Sequence, residues 1–150
     1  MAKITHKGLW LDIASLNPSD KKNYIKCLAF SLVAGMLLGI HLSHIGFLGE
    51  NALETGITEP WLLILRISVV VFFLIGAFYY YKFSITQDEL YKGYENACFA
   101  GGSAGFVIFG LGLSLLSPYF DYHPNFYEFF LAFAAGNGMG AYMFYRQHIA

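Results

Sequence analysis

The sequence has few charged residues and only two cysteines, and each shortage excludes a class of protein. Charged residues make up 13% of the 150 residues, about half the share found in soluble globular domains. Cys27 and Cys98 form no C-x-x-C pair, so cysteine redox chemistry is not expected. The sequence also lacks a phosphate-binding loop, a recognisable nucleophile and base, and a nucleic-acid-binding patch. We therefore predict neither an enzyme nor a protein that binds nucleic acid.

Apolar residues are abundant and fall into four long segments. The chain is 57% hydrophobic with a mean hydropathy of +0.51, and each segment is near the roughly 20 residues that a helix needs to cross a bilayer. Backbone groups in lipid must be paired, which favours helices. We predict an all-α fold, one membrane domain over residues 1–150 with four transmembrane helices in a compact bundle. The predicted helices cover about residues 27–48, 61–81, 86–116 and 125–145.

Residues 1–25 precede the first apolar segment and are expected at the inner surface of the membrane. Leu9, Trp10, Ile13 and Leu16 recur at roughly helical spacing between basic residues, a pattern typical of a helix that lies in the lipid interface. The alternative is a tail anchored by Trp10 alone. Further along, Thr86 and Glu89 have the T-x-x-E spacing of a capping box, which predicts the start of the third helix.

The distribution of basic residues predicts the orientation of the chain. Every Lys and Arg except Arg66 lies before the first segment, between the second and third, or after the fourth. The positive-inside rule places these parts in the cytoplasm. We therefore expect a multi-pass protein of a bacterial inner membrane, with both termini cytoplasmic.

Small residues recur every four positions on three of the predicted helices. This spacing lets helix backbones approach closely in lipid, which predicts a tightly packed bundle and favours a homo-oligomer or another membrane protein as partner. The glycines of these stripes are Gly35, Gly39, Gly101, Gly105, Gly136 and Gly140.

Four polar side chains interrupt the apolar segments in the outer half of the membrane: His41, His44, Arg66 and Glu128. Polar groups at that depth normally face protein or water, and an ion pair between Arg66 and Glu128 is the obvious prediction. Three interpretations stay open. The cluster is structural, or it forms an ion path, proton path or ligand pocket, or it binds haem or a metal.

Cofactor binding is the least supported of these interpretations. His41 and His44 could point the same way, with His123 or Glu128 as further ligands, but structural zinc generally takes four ligands. Axial haem ligation would need histidines from two helices, and no second segment has one inside the membrane. We predict no cofactor and no metal.

The stretch TQDELYKGYENACFAGGSAGFVIFGLGLSLL resembles a loose class of small bacterial four-helix membrane proteins. The resemblance rests on Asp88 and Glu89 before the third segment and on Ala97 within it, while Lys92 stands where the class often has Arg. It implies a membrane-embedded regulatory or interaction protein. Asp88, Glu89 and Lys92 would then meet a cytoplasmic partner.

The sequence thus favours a non-enzymatic interaction, accessory or regulatory subunit within an oligomer or larger membrane complex. A second hypothesis is a small oligomeric channel or transporter that uses the polar cluster. A third is a redox subunit associated with haem or quinone.

Overall fold

A computed structural model describes residues 6–7, 10–47, 56–120 and 122–148. Four long helices account for most of them: α1 (Pro18–His44), α2 (Trp61–Ser84), α3 (Glu89–Phe120) and α4 (Phe126–His148). The all-α prediction is confirmed at this level. The chain divides into two compact units, of which the first, Leu16–Thr86, contains α1 and α2 and the second contains α3 and α4. We call them the first hairpin and the second hairpin.

Three of the described helices, α1, α2 and α3, are long and apolar enough to cross a membrane. This confirms a helical membrane protein. α4 is not among them although it has 23 residues, because Glu128, Asn137 and Arg146 and several glycines dilute its apolar character. A fourth transmembrane helix is therefore not confirmed.

The interfacial helix expected near the amino terminus is not confirmed either. His6–Lys7 pairs with Trp10–Leu11 as two short antiparallel strands, and only Ile13–Ser15 is helical, as one 3-10 turn. Asp12 caps the start of this turn, since its side chain accepts a hydrogen bond from the Ala14 amide at 3.0 Å. The turn stops before Asn17, whose backbone is extended, as is usual for a residue that precedes proline. Leu9 lies outside the described residues.

α1 begins at Pro18 rather than near residue 27, because Asn17 and Pro18 form a helix start. The Asn17 side chain accepts a hydrogen bond from the Asp20 amide at 2.8 Å, and Pro18 occupies the first helical position, where its missing N–H costs nothing. Lys21, Lys22 and Lys26, which precede the first apolar segment, are thus part of α1. α2, in contrast, begins at Trp61, as predicted.

α3 begins at Glu89, and its capping residue is Asp88 rather than Thr86. The Asp88 carboxylate accepts from the Tyr91 amide at 2.9 Å, whereas Thr86 Oγ1 donates to Phe83 and Asp20. The T-x-x-E capping box is therefore wrong. α3 also continues past Pro118 to Phe120, four residues beyond the expected end at residue 116.

The two helices of the first hairpin bury a residue at every seventh position. α1 buries Asp20, Cys27 and Ala34 at this spacing and Ser43 outside it, and α2 buries Leu62, Val69, Gly76 and Phe83. A seven-residue repeat keeps one seam of each helix facing its partner, as in coiled coils. At Gly76 the helices approach closely, since a Cβ added there would lie 2.8 Å from Ser31 Oγ.

The second hairpin packs backbone against backbone. A Cβ added at Gly101 would lie 2.9 Å from Gly140 Cα, and one at Gly105 would lie 2.6 Å from the Ala132 carbonyl oxygen. Gly136 is equally enclosed, by the backbone of Gly101. Gly101, Gly105, Gly136 and Gly140 thus lie at the contact of α3 with α4.

Gly35 and Gly39 do not lie at the contact of α1 with α2 in the described chain. Nothing lies within 4 Å of a Cβ added at either glycine. The reason is that α1 meets α2 through the seven-residue row of Cys27 and Ala34, which follows a different face from the four-residue glycine row. The first hairpin obtains its close approach from Gly76 of α2 instead.

Candidate functional site

The polar cluster of the first hairpin lies at the end where α1 stops and α2 starts. Arg66 Nη1 lies 3.8 Å from Glu59 Oε1, and the two side chains are 46% and 60% exposed. An ion pair this exposed to solvent contributes only about 0–1 kcal/mol to the free energy of unfolding. Arg66 thus has a partner within its own hairpin, and the ion pair expected with Glu128, which belongs to the second hairpin, stays a prediction.

His41 lies on α1 seven residues after the buried Ala34, and its side chain is partly exposed. Ser31 of α1 lies against Gly76 of α2. His41 lies as many residues after Ser31 as Arg66 lies before Gly76, so the two antiparallel helices place His41 opposite Arg66. Arg66 and His44 are both close enough to interact electrostatically with His41. His41 Nδ1 is buried and has no hydrogen-bond partner among the described residues. A buried polar atom without a partner costs about 1–3 kcal/mol. This nitrogen is therefore available to a ligand or a water molecule.

Glu128 has a local structural role at the start of α4. Its carboxylate accepts hydrogen bonds from the Asn125 amide and the Tyr122 hydroxyl, while the Asn125 side chain accepts from the Tyr127 amide at 2.9 Å. Asn125 and Glu128 therefore form a reciprocal capping box. The N-x-x-E spacing ahead of an apolar run was the signal for it in the sequence.

Of the three residues predicted to meet a cytoplasmic partner, one has a structural role and two are exposed. Asp88 caps the helix and is committed to the Tyr91 amide. Lys92 Nζ lies 3.8 Å from Glu89 Oε1, and the Glu89 side chain is 96% exposed. Glu89 and Lys92 are thus open to a partner, whereas substitution of Asp88 would also disturb the helix start.

Asp20 is a buried carboxylate that the sequence reasoning missed. It is 6% exposed and accepts hydrogen bonds from Asn17 Nδ2 at 2.7 Å and Thr86 Oγ1 at 2.8 Å. The N-P-S-D sequence of residues 17–20 carried the signal of a capped helix start. Neutral donors from both ends of the first hairpin bind the Asp20 carboxylate. Asp20 therefore has a structural role and is not an exposed reactive group.

The donor sets of the described residues do not form a metal site. No group of three or more His, Cys, Asp or Glu side chains comes close enough together to hold an ion within this part of the chain. Cys27 and Cys98 are both buried free thiols. Within the described residues, His41, His44, Arg66 and Glu59 supply the first hairpin with groups for hydrogen bonding and charge pairing.

Comparisons with known proteins add no family: no family model, no curated protein and no solved structure matches the chain. The likeness to small bacterial four-helix membrane proteins stays a prediction from residues 86–116.

Proposed function

We propose that the protein is a non-enzymatic integral membrane subunit that associates laterally with other membrane helices, in a homo-oligomer or a larger complex. It would act there as an accessory or regulatory component. In this proposal α4 also crosses the membrane, both termini lie in the cytoplasm, and the membrane is a bacterial inner membrane.

One observation supports this proposal above the others: Gly35 and Gly39 leave a smooth face on α1 that α2 does not cover. Nothing in the first hairpin needs them, since no atom lies within 4 Å of a Cβ at either position. Each glycine costs a helix about 1 kcal/mol relative to alanine. Small residues four apart do have a use against a second helix in lipid, where they permit close backbone contact.

The residues beside these glycines suit the same use. Leu32 is 61% exposed and Met36 is 62% exposed, and both lie within one turn of Gly35. An incoming helix would rest its backbone on the glycines and pack its side chains against Leu32 and Met36. No charged residue interrupts α1 between Lys26 and His41, so the face suits a partner inside the lipid.

The test is the mass of the detergent-purified protein by light scattering, combined with in-membrane cysteine crosslinking along α1. We expect an assembly larger than one chain, and Gly35→Leu and Gly39→Leu each to reduce it. Ala77→Leu is the matched control, because it adds the same side chain to an exposed position of α2, away from this face. An assembly that survives both glycine variants contradicts the proposal.

A channel or transporter is the second candidate, and the unpartnered Nδ1 of His41 favours it. A partly exposed imidazole opposite Arg66 could bind an anion or relay a proton near one end of the first hairpin. Proton and chloride flux into liposomes containing the protein tests this directly. Flux that His41→Ala abolishes would support conduction, and the absence of flux from well-folded protein would contradict it.

The resemblance assigns a further role to the exposed first turns of α3. In that version of the proposal, Glu89 and Lys92 bind a soluble cytoplasmic partner. Charge reversal at both positions should then abolish a regulatory phenotype while the protein remains in the membrane at its normal level.

A further inference from the structure

A groove runs along the seam between α3 and α4 and is open on one side. Its volume is about 440 Å³. Its floor consists of the close-packed glycines Gly101, Gly105, Gly136 and Gly140, whose missing side chains leave the groove empty. Ile108 and Met139 belong to its walls and are 67% and 66% exposed. The groove is thus a deep, apolar notch within the second hairpin.

The size of the groove fits a hydrocarbon chain, whereas a whole helix could not lie inside it. Its lining residues on α3 extend from Ala97 to Phe109, or about 18 Å at the helical rise. A helix about 10 Å wide would occupy about 1,400 Å³ over that length. An extended chain, with carbon contacts at about 4 Å, occupies about 200–300 Å³. The length also matches one leaflet, since half of the hydrocarbon layer is about 15 Å.

One end of the groove is polar, and a cationic side chain adjoins it. The lining ends at Gln147, and Arg146 precedes it three residues after Met143, within the last turn of α4. Arg146 is exposed, and none of the ion pairs between described residues involves it. A guanidinium without a carboxylate partner is suited to bidentate contact with a phosphate.

We propose that the second hairpin binds one membrane phospholipid, with an acyl chain in the groove and the phosphate at Arg146. The polar end at Gln147 sets the direction of the lipid, and the glycine floor sets its depth. Met139 and Met143 are flexible enough to close over a chain of variable shape. This site goes beyond the association proposed for α1, because it lies on the other hairpin and requires no protein partner.

Native mass spectrometry of the full chain in detergent tests the site, with dioleoyl phosphatidylglycerol and dioleoylglycerol as probes. The two probes have the same acyl chains and only the first has a phosphate. We expect one phosphatidylglycerol to bind about tenfold more tightly than dioleoylglycerol, since a charge-assisted phosphate contact is strong. Arg146→Gln should remove that preference.

Ala104→Leu tests the groove itself, because Ala104 lines it and is exposed, so the larger side chain fills space without disturbing the glycine seam. We expect this variant to weaken both probes about tenfold or more. Ala134→Leu is the matched control, an exposed alanine on α4 outside the groove. Circular dichroism establishes that each variant retains its helices, and Ala100→Leu, also in the groove, replaces Ala104→Leu if that variant does not.

Two results would overturn the proposal. The first is unchanged lipid binding by folded Ala104→Leu or Ala100→Leu, which would remove the groove as the site. The second is loss of a dimer mass in those variants with no effect on either lipid, which would assign the groove to a second copy of the chain. A preference for the phosphate that persists in Arg146→Gln overturns the assignment of the headgroup to Arg146.

Discussion

Thr86 Oγ1 donates a hydrogen bond to Asp20 Oδ1 over 2.8 Å, joining the segment after α2 to the first turn of α1. Asn17 Nδ2 donates to the other carboxylate oxygen at 2.7 Å. One buried carboxylate thus binds the capping residue of its own helix and joins the two ends of the first hairpin. No lysine or arginine forms an ion pair with Asp20 among the described residues. The hydrogen bonds from these neutral donors therefore offset the free-energy cost of burying the carboxylate.

Removing the donor at this junction should destabilise the first hairpin. Thr86→Val leaves the Asp20 carboxylate buried with one partner fewer, and the expected loss is about 1–3 kcal/mol of unfolding free energy. Chemical unfolding in detergent micelles, followed by circular dichroism, measures it. Thr58→Val is the control at an exposed threonine. Equal stability of both variants would contradict the role given to Thr86.

Two glycine-to-alanine substitutions should have opposite effects. At Gly136 the added Cβ meets the backbone of Gly101, so the helices must separate and we expect a loss of about 1–3 kcal/mol. At Gly39 there is open space, and alanine should increase the stability of the isolated chain by about 0.5–1 kcal/mol. The comparison is made under conditions where both variants are monomeric. A loss at Gly39 as large as at Gly136 would contradict the packing described for α1.

If Glu128 acts as a capping residue, its acceptor oxygen contributes more to the free energy of unfolding than its charge does. Glu128→Gln keeps an oxygen for the Asn125 amide and should cost less than about 0.5 kcal/mol. Glu128→Ala removes the cap and should cost about 0.5–2 kcal/mol. Helix content and unfolding free energy measure both. If the glutamine variant is as unstable as the alanine variant, the charge of Glu128 is needed and the capping interpretation is wrong.

The partner of Arg66 can be identified by a double-mutant cycle. Arg66→Leu and Glu59→Gln should show a coupling of about 0.2–1 kcal/mol, as expected of an exposed pair. Arg66→Leu and Glu128→Gln should be additive if Glu128 serves only its own helix. Coupling to Glu128 instead would support the ion pair predicted from the sequence.

His41 offers a separate test of the first hairpin, because its Nδ1 is buried without a described partner. His41→Leu replaces that polar atom by an apolar side chain, so we expect stability to be unchanged or to increase by about 1 kcal/mol. His44→Leu serves as the comparison on the next turn. A large loss of stability in His41→Leu would reveal a hydrogen bond made outside the described residues.

Composition and segment length were sufficient to predict the helices, because membrane helices need long apolar runs. The pairing of faces was less predictable. The glycines of α3 and α4 lie where those helices meet, whereas those of α1 lie away from its contact with α2, since four-residue and seven-residue rows both occur on α1 and the sequence does not rank them. Glu128 is a candidate because it is a charged residue in an apolar segment, and Asp88 is a candidate because of the resemblance. Each caps a helix, a role that depends on where the helix begins.

α3 is one uninterrupted helix of 32 residues, about 48 Å long and so longer than the roughly 30 Å hydrocarbon layer. α3 could therefore tilt as a rigid rod about the contact of Gly101 with α4. Glu89 lies about 18 Å along the helix from Gly101, so a 10° tilt of α3 would move Glu89 by about 3 Å. A small rotation at the glycine contact would thus become a displacement at the polar end of α3.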